Sequence, residues 1–205
     1  LVVKLNTNLN TLIWARYVGG SGRDAIYSLK VIDSNKVLIG GGTTSYTDFP
    51  TTNGSYQEVS IQNTSSTNRQ ADGFISLISA NGSTIEKSTY ISTPNYDQVY
   101  FVEFDRFNNV YGYGQTEAGL LFTRLRAPVA NPGAGQFIVK LDRNLDSLEF
   151  STTFGNGNGT GRVNISPTAF LVDQCQNIYA AGWGGRLVPA EGDKDITNMP
   201  LRRDT

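Results

Sequence analysis

Apolar and polar residues alternate with period 2 through short segments, four of which recur together three times along the chain. That alternation is the pattern of half-buried β-strands. Each unit opens on a similar segment: Val2-Val3-Lys4-Leu5, Phe74-Ile75-Ser76-Leu77 and Ile138-Val139-Lys140-Leu141. A second strand follows at Leu12 to Gly19, Ile85 to Tyr90 and Leu148 to Gly155, and a third at Ile26 to Ile32, Val99 to Phe104 and Ala169 to Val172. The fourth runs into glycine: Val37-Leu38-Ile39-Gly40-Gly41, Val110-Tyr111-Gly112-Tyr113-Gly114 and Ile178-Tyr179-Ala180-Ala181-Gly182.

The turns carry their own signals. Asn6-Thr7-Asn8, Ala80-Asn81-Gly82 and Asp142-Arg143-Asn144 join the first two strands, and Asn and Gly tolerate the positive φ of a hairpin turn. Between strands three and four, Asp105-Arg106-Phe107-Asn108-Asn109 matches Asp173-Gln174-Cys175-Gln176-Asn177, with the shorter Asp33-Ser34-Asn35-Lys36 in the first unit. Asp at the head of such a turn accepts backbone N–H groups two residues on, and Asn sits readily in the left-handed region.

The spacing is 72 residues from Leu5 to Leu77 and 64 from Leu77 to Leu141. A repeat of four antiparallel strands predicts an all-β fold of about three four-stranded β-propeller blades. The blade-like units are 1–42, 73–116 and 137–184, with long connections 43–72 and 117–136. Three blades do not close a ring of roughly four to eight, so the remaining blades are expected outside this chain. The connections, including Arg124, Arg126, Pro128 and Pro132 in the second, are where a rigid scaffold would present function.

Composition removes several classes of chemistry. With 17 basic and 18 acidic residues the net charge is -1, without the basic face that nucleic acid needs. No apolar run approaches the roughly 20 residues of a membrane span. There is no His, hence no His-dependent triad or zinc motif. The single cysteine, Cys175, cannot form an internal disulfide and is expected to be a small buried hydrophobe; a partner cysteine elsewhere is the sharper alternative. No Asp-x-Asp-x-Asp spacing suggests a metal, although oxygen ligands are plentiful enough to leave open a calcium site built from separate loops. No cofactor is expected.

Two stretches resemble a known family. Trp14-Ala15-Arg16-Tyr17-Val18-Gly19-Gly20-Ser21-Gly22-Arg23-Asp24, and Gly41 to Thr52 with Gly54-Ser55-Tyr56-Gln57 after it, are similar to the bacterial SBBP β-propeller repeat. Ser166 to Cys175, continuing through Asn177-Ile178-Tyr179 to Gly182-Trp183-Gly184-Gly185, resembles segments of very large Bacteroidetes surface proteins associated with gliding motility. The likeness covers nearly the whole chain and is weaker in the second unit, where Lys87 stands at the Trp14 position. It implies a secreted, cell-surface, adhesin-like parent exported by the type IX secretion machinery. It implies no catalytic residues.

Candidate chemistry is sparse. Asp33, Asp105 and Asp173 recur in every unit and read as turn devices. Off that frame stand Glu103, Glu117 and Glu149, of which Glu103 and Glu149 are expected on solvated strand faces; a glycosidase would need two of them converging within about 5–10 Å. The glycine stretches Gly19 to Gly22 and Gly155 to Gly161 lack the Lys-Ser/Thr pair of a phosphate-binding loop and read as turns. Loop aromatics carry the best binding signal, because they stack on sugar rings and anchor interfaces. Tyr46, Tyr56, Tyr96 and Trp183 are the candidate ligand-binding residues, while Phe49 and Tyr56 also suit plugs between blades. The leading expectation is a non-enzymatic segment binding protein or surface glycan; the alternatives are a carbohydrate-active enzyme with a carboxylate site and an architectural spacer.

Overall fold

The computed structural model describes residues 1–32, 35–61, 70–118, 131, 133–155 and 165–184. They form twelve strands: β1 (Val2–Leu5), β2 (Leu12–Arg16), β3 (Asp24–Val31), β4 (Val37–Thr43), β5 (Asp72–Ile78), β6 (Ile85–Ile91), β7 (Asp97–Phe104), β8 (Val110–Thr116), β9 (Gln136–Leu141), β10 (Leu148–Phe154), β11 (Ser166–Val172) and β12 (Ile178–Trp183). The fold is all-β, and every strand pairing is antiparallel.

The sheets are cut half a repeat out of phase with the units 1–42, 73–116 and 137–184. One four-stranded sheet is ordered β3-β4-β5-β6 and the other β10-β9-β8-β7, flanked by the two-stranded sheets β1-β2 and β11-β12. Each full sheet therefore takes two strands from one unit and two from the next. A period fixes spacing but not phase. The ladder from β4 to β5, running from Val37 opposite Ile78 to Thr43 opposite Asp72 across the long connection, decides it.

Register also moves the opening of the second unit by one residue. Gly41 pairs with Phe74 as Gly114 pairs with Phe137, so Ile78, not Leu77, is the counterpart of Leu5 and Leu141. Hairpin geometry enforces this: the turn closures Asn6 N–H to Thr11, Ser79 N–H to Thr84 and Asp142 N–H to Ser147 are equivalent. Leu9, Gly82 and Leu145 occupy the same position of positive φ in the three turns. The third strands begin earlier than the apolar pattern predicts, because Asp24 and Asp97 pair with Thr43 and Thr116.

The sheets pack face to face. Val2 and Trp14 of the first, with Val18 just after β2, lie against Val37, Ile39, Phe74 and Tyr90 of the second, with Phe49 wedged beside Phe74 at 4.6 Å between ring centroids. Leu38, Ile75, Val99, Val102, Phe137 and Val139 fill the middle interface. Tyr111, Tyr113, Ile138, Phe170 and Val172 fill the last. Burying such side chains is worth about 1.5–3 kcal/mol each, so three successive cores hold the stack together. At one margin β3, β7 and β11 run beside one another.

The Asp turns behave as expected. Asp105 Oδ1 accepts the N–H groups of Phe107 (2.9 Å) and Asn109 (3.0 Å), and Oδ2 accepts the Asn109 amide (3.0 Å). Asp173 repeats this with Cys175 and Asn177. The left-handed residues are Asn35, Asn108 and, in the third turn, Gln176. Asp33 lies outside the described residues. Cys175 is exposed rather than buried, because it occupies the crest of this turn.

Candidate binding site at the β3–β7 margin

Strands β3, β7 and β11 each carry a β-bulge at the same place, between Ile26 and Ser28, Val99 and Phe101, and Pro167 and Ala169. The residues left over are Tyr27, Tyr100 and Thr168. A bulge re-aims the side chain it releases, and here it brings two tyrosines from neighbouring sheets together. Their rings stack at 5.1 Å between centroids with an 18° interplanar angle. Tyr96 joins them through a hydrogen bond of 2.9 Å between its hydroxyl and that of Tyr100. Tyr27 remains 44 % exposed.

The Tyr27 and Tyr96 hydroxyls are held neutral. Burial raises the Tyr27 pKa, the neighbouring Tyr100 adds to this, and a hydrogen bond with the Gln98 side chain partly offsets it. Burial, the Tyr100 hydrogen bond and nearby Glu117 push Tyr96 well above the usual phenol range. Asn95 and Glu117 rim the same corner, the Glu117 N–H donating to the Tyr96 carbonyl at 2.9 Å. The arrangement offers flat aromatic surface, neutral hydroxyl groups and an amide. Such a surface suits stacking and hydrogen bonding of a polar ring.

Of the residues singled out from sequence, only Tyr96 belongs to this cluster. Tyr46 donates its hydroxyl to the Gln70 carbonyl at 2.8 Å. Tyr56 lies on the first long connection, its N–H bonded to the Leu145 carbonyl at 2.7 Å. Trp183 ends β12 at 59 % exposure. These four do not form one site. Sequence reading passed over Tyr27 and Tyr100, although Ile26-Tyr27-Ser28 and Val99-Tyr100-Phe101 recur at matching positions after Asp24 and Asp97.

The three carboxylates are separated. Glu103 is only 5 % exposed, not on a solvated face, and is paired with Lys30 at 2.5 Å. Glu149 pairs with Lys140 at 3.2 Å on β10, at the opposite edge of the same sheet. Three strand spacings separate those edges, roughly 14 Å, beyond the reach of a glycosidase pair. Glu117 sits at the other end of β8 from Tyr111, the partner of Glu103. Among the described residues no group of three or more acidic or Cys side chains could hold a metal ion.

The first glycine loop spends its donors internally. Gly20 N–H donates to Asp24 Oδ2 (3.0 Å), Ser21 N–H to Asp48 Oδ2 (2.8 Å) and Gly22 N–H to Ser45 Oγ (2.9 Å). These N–H groups hold the loop on protein carboxylates and a hydroxyl instead of forming a phosphate cradle. Residues 156–164 of the other glycine loop lie outside the described residues. No protein-family model matches the chain, and no curated protein matches it.

Proposed function

We propose that the chain is a non-catalytic binding segment of a β-propeller and that its tyrosine stack receives the face of a sugar ring from a surface glycan. The observation that carries this reading is the Tyr27–Tyr100 stack with Tyr96 hydrogen-bonded to Tyr100. Two bulges in separate sheets set equivalent tyrosines side by side while leaving ring surface in solvent. The three-fold recurrence and the face-to-face packing of successive sheets support a blade arrangement. The likeness to SBBP repeats supports an exported, adhesin-like parent at the cell surface, with the type IX machinery as its route.

A glycan array followed by calorimetric titration of the best oligosaccharide tests it. Binding should weaken at least about tenfold in Tyr27→Ala and in Tyr100→Ala, in line with about 1.4 kcal/mol or more per lost stacking contact. Tyr56→Ala should bind as the unsubstituted chain does. Binding indifferent to both tyrosines, no glycan bound at all, or hydrolytic turnover of the bound sugar would each overturn the reading.

A further inference from the structure

We propose that the β11–β12 hairpin of one copy of this chain and the β1–β2 hairpin of a second copy complete one four-stranded antiparallel sheet, with β12 paired to β1. This stands apart from the tyrosine site and depends on none of its residues.

Repeat equivalence supplies the register. In the two complete sheets, β4 is followed by β5 and β8 by β9, with Leu38 opposite Leu77 and Tyr111 opposite Lys140. By position β12 corresponds to β4 and β8, and β1 to β5 and β9. Among the described residues no strand lies along the outer edge of β12 or of β1. The inherited register sets Tyr179 opposite Lys4, Ala180 opposite Val3 and Ala181 opposite Val2.

Charge complementarity points to the same pairing. In the complete sheet, Lys140 Nζ lies 3.3 Å from Asp105 Oδ2 and 5.3 Å from the centroid of the Tyr111 ring. Asp173 and Tyr179 reproduce the anionic half, with the Tyr179 hydroxyl 3.3 Å from Asp173 Oδ2, but no lysine faces them among the described residues. Lys4 stands at the Lys140 position on β1 and makes no ion pair among the described residues. Among the described residues, each hairpin holds the half that the other lacks.

Exposed apolar surface completes the match. Val3, Leu29 and Val31 are each about half exposed and line a groove of about 310 Å³ with Val2, Leu5, Trp14 and Val37. In the complete sheets the residue matching Leu29 is Val102, which is fully buried against the preceding sheet. On the other hairpin, Leu171 and Tyr179 are half exposed, and the counterparts of Tyr179, Leu38 and Tyr111, are buried in the cores shared with the following sheet. A docked β11–β12 hairpin would cover the groove with them. The two hairpins of one copy belong to different cores, at opposite ends of the described stack, and the complementarity of Lys4 with Asp173 and Tyr179 is what points to a second copy as the occupant. A head-to-tail contact of this kind builds a ring or a filament.

Sedimentation of the chain across a concentration series reads the association. Lys4→Glu and Asp173→Lys should each weaken it about tenfold. The chain carrying both substitutions should regain part of it and associate better than either single variant. The carboxylate now at position 4 of one copy meets the ammonium group now at position 173 of the next, while the turn bonds of Asp173 stay lost. As a measurement independent of affinity, chains carrying Val3→Cys and Ala180→Cys, both with Cys175→Ser, are mixed and oxidised. A disulfide dimer joining residues 3 and 180 is expected, since directly paired strand positions fall within disulfide reach. A monomer at every concentration, single charge variants that associate unchanged, a double variant no better than either single, or failure of the 3–180 cross-link would overturn the proposal.

Discussion

Gly114 and Phe137 face each other across β8 and β9 so closely that a Cβ on Gly114 would lie 2.4 Å from Cζ of Phe137. It would also lie 2.1 Å from the carbonyl oxygen of Gln98, beside the bulge at Tyr100. Gly41 repeats the relationship with Phe74 and the Ala25 carbonyl. The terminal glycine of the fourth strand therefore accommodates the bulge and the aromatic ring together. Gly114→Ala should cost about 1–3 kcal/mol, the range for overpacking a core, measured as a loss in urea-unfolding free energy. Adding Phe137→Leu should not restore stability, because the Gln98 carbonyl is backbone and cannot be trimmed. Recovery in that double variant would show that the ring alone imposed the glycine.

The two Asp turns are alike in hydrogen bonding but differ in environment, and that difference is measurable. Burial alone would raise the Asp105 pKa; the Asn109 side chain, the Phe107 and Asn109 N–H groups and Lys140 together bring it below the usual carboxylate value. Removing it leaves the Phe107 and Asn109 donors without their acceptor and the largely buried Lys140 with Glu149 as its one carboxylate partner among the described residues. Asp105→Ala should lose about 3 kcal/mol at pH 7, and Asp173→Ala distinctly less, since that turn is solvated. With a lowered folded pKa, the Asp105 contribution is present above about pH 4 and disappears as pH falls through the folded value. The gap between wild type and Asp105→Ala should therefore close in acid-unfolding curves below about pH 4.

The sequence showed strands, turns and their three-fold recurrence because alternation and turn chemistry are local properties. Asp105 and Asp173 were legible for that reason, each capping residues two and four positions on. The phase of the sheets was not legible, since β4 pairs with β5 across 28 intervening residues and the period fits either cut. Nor was the tyrosine pair, which depends on two bulges aiming residues 73 positions apart at one point. Glu103 misled for a related reason: on its own strand it reads as solvated, but Lys30 comes from a different sheet.

Trp14 ties the first hairpin to the sheet beside it. Its Nε1–H donates to the Ala80 carbonyl at 3.1 Å, while its ring lies over Gly82, where a Cβ would meet it at 2.5 Å. Arg16 reaches the Gly82 and Ser83 carbonyls of the same turn. Trp14→Ala should release β1 and β2 locally rather than unfold the chain, because the middle core contains no residue of that hairpin. Native-state hydrogen exchange should show lost protection at residues 2–5 and 12–16 with β8 and β9 unchanged. Uniform loss across all strands would mean the first sheet is part of the global folding unit.

Asp97 gives the fold a pH dependence of the opposite sign. It is fully buried at the start of β7, accepting the N–H and hydroxyl of Thr93 at 2.6 Å each, and Asp72 lies near enough to disfavour its charge. Burial, opposed by the Thr93 and Thr116 hydrogen bonds, pushes its pKa up from 3.8 to about 7. Between those values the native state holds a proton that the unfolded chain releases, so stability falls as pH rises from about 4 to 7. The cost of the buried charge is fully present above about pH 7 and on the order of 2–4 kcal/mol. Asp97→Asn keeps an acceptor for Thr93 and removes the charge. Its urea midpoint should match wild type near about pH 4.5 and exceed it increasingly up to about pH 8. A constant difference between the two proteins across that range would show that Asp97 does not titrate within it.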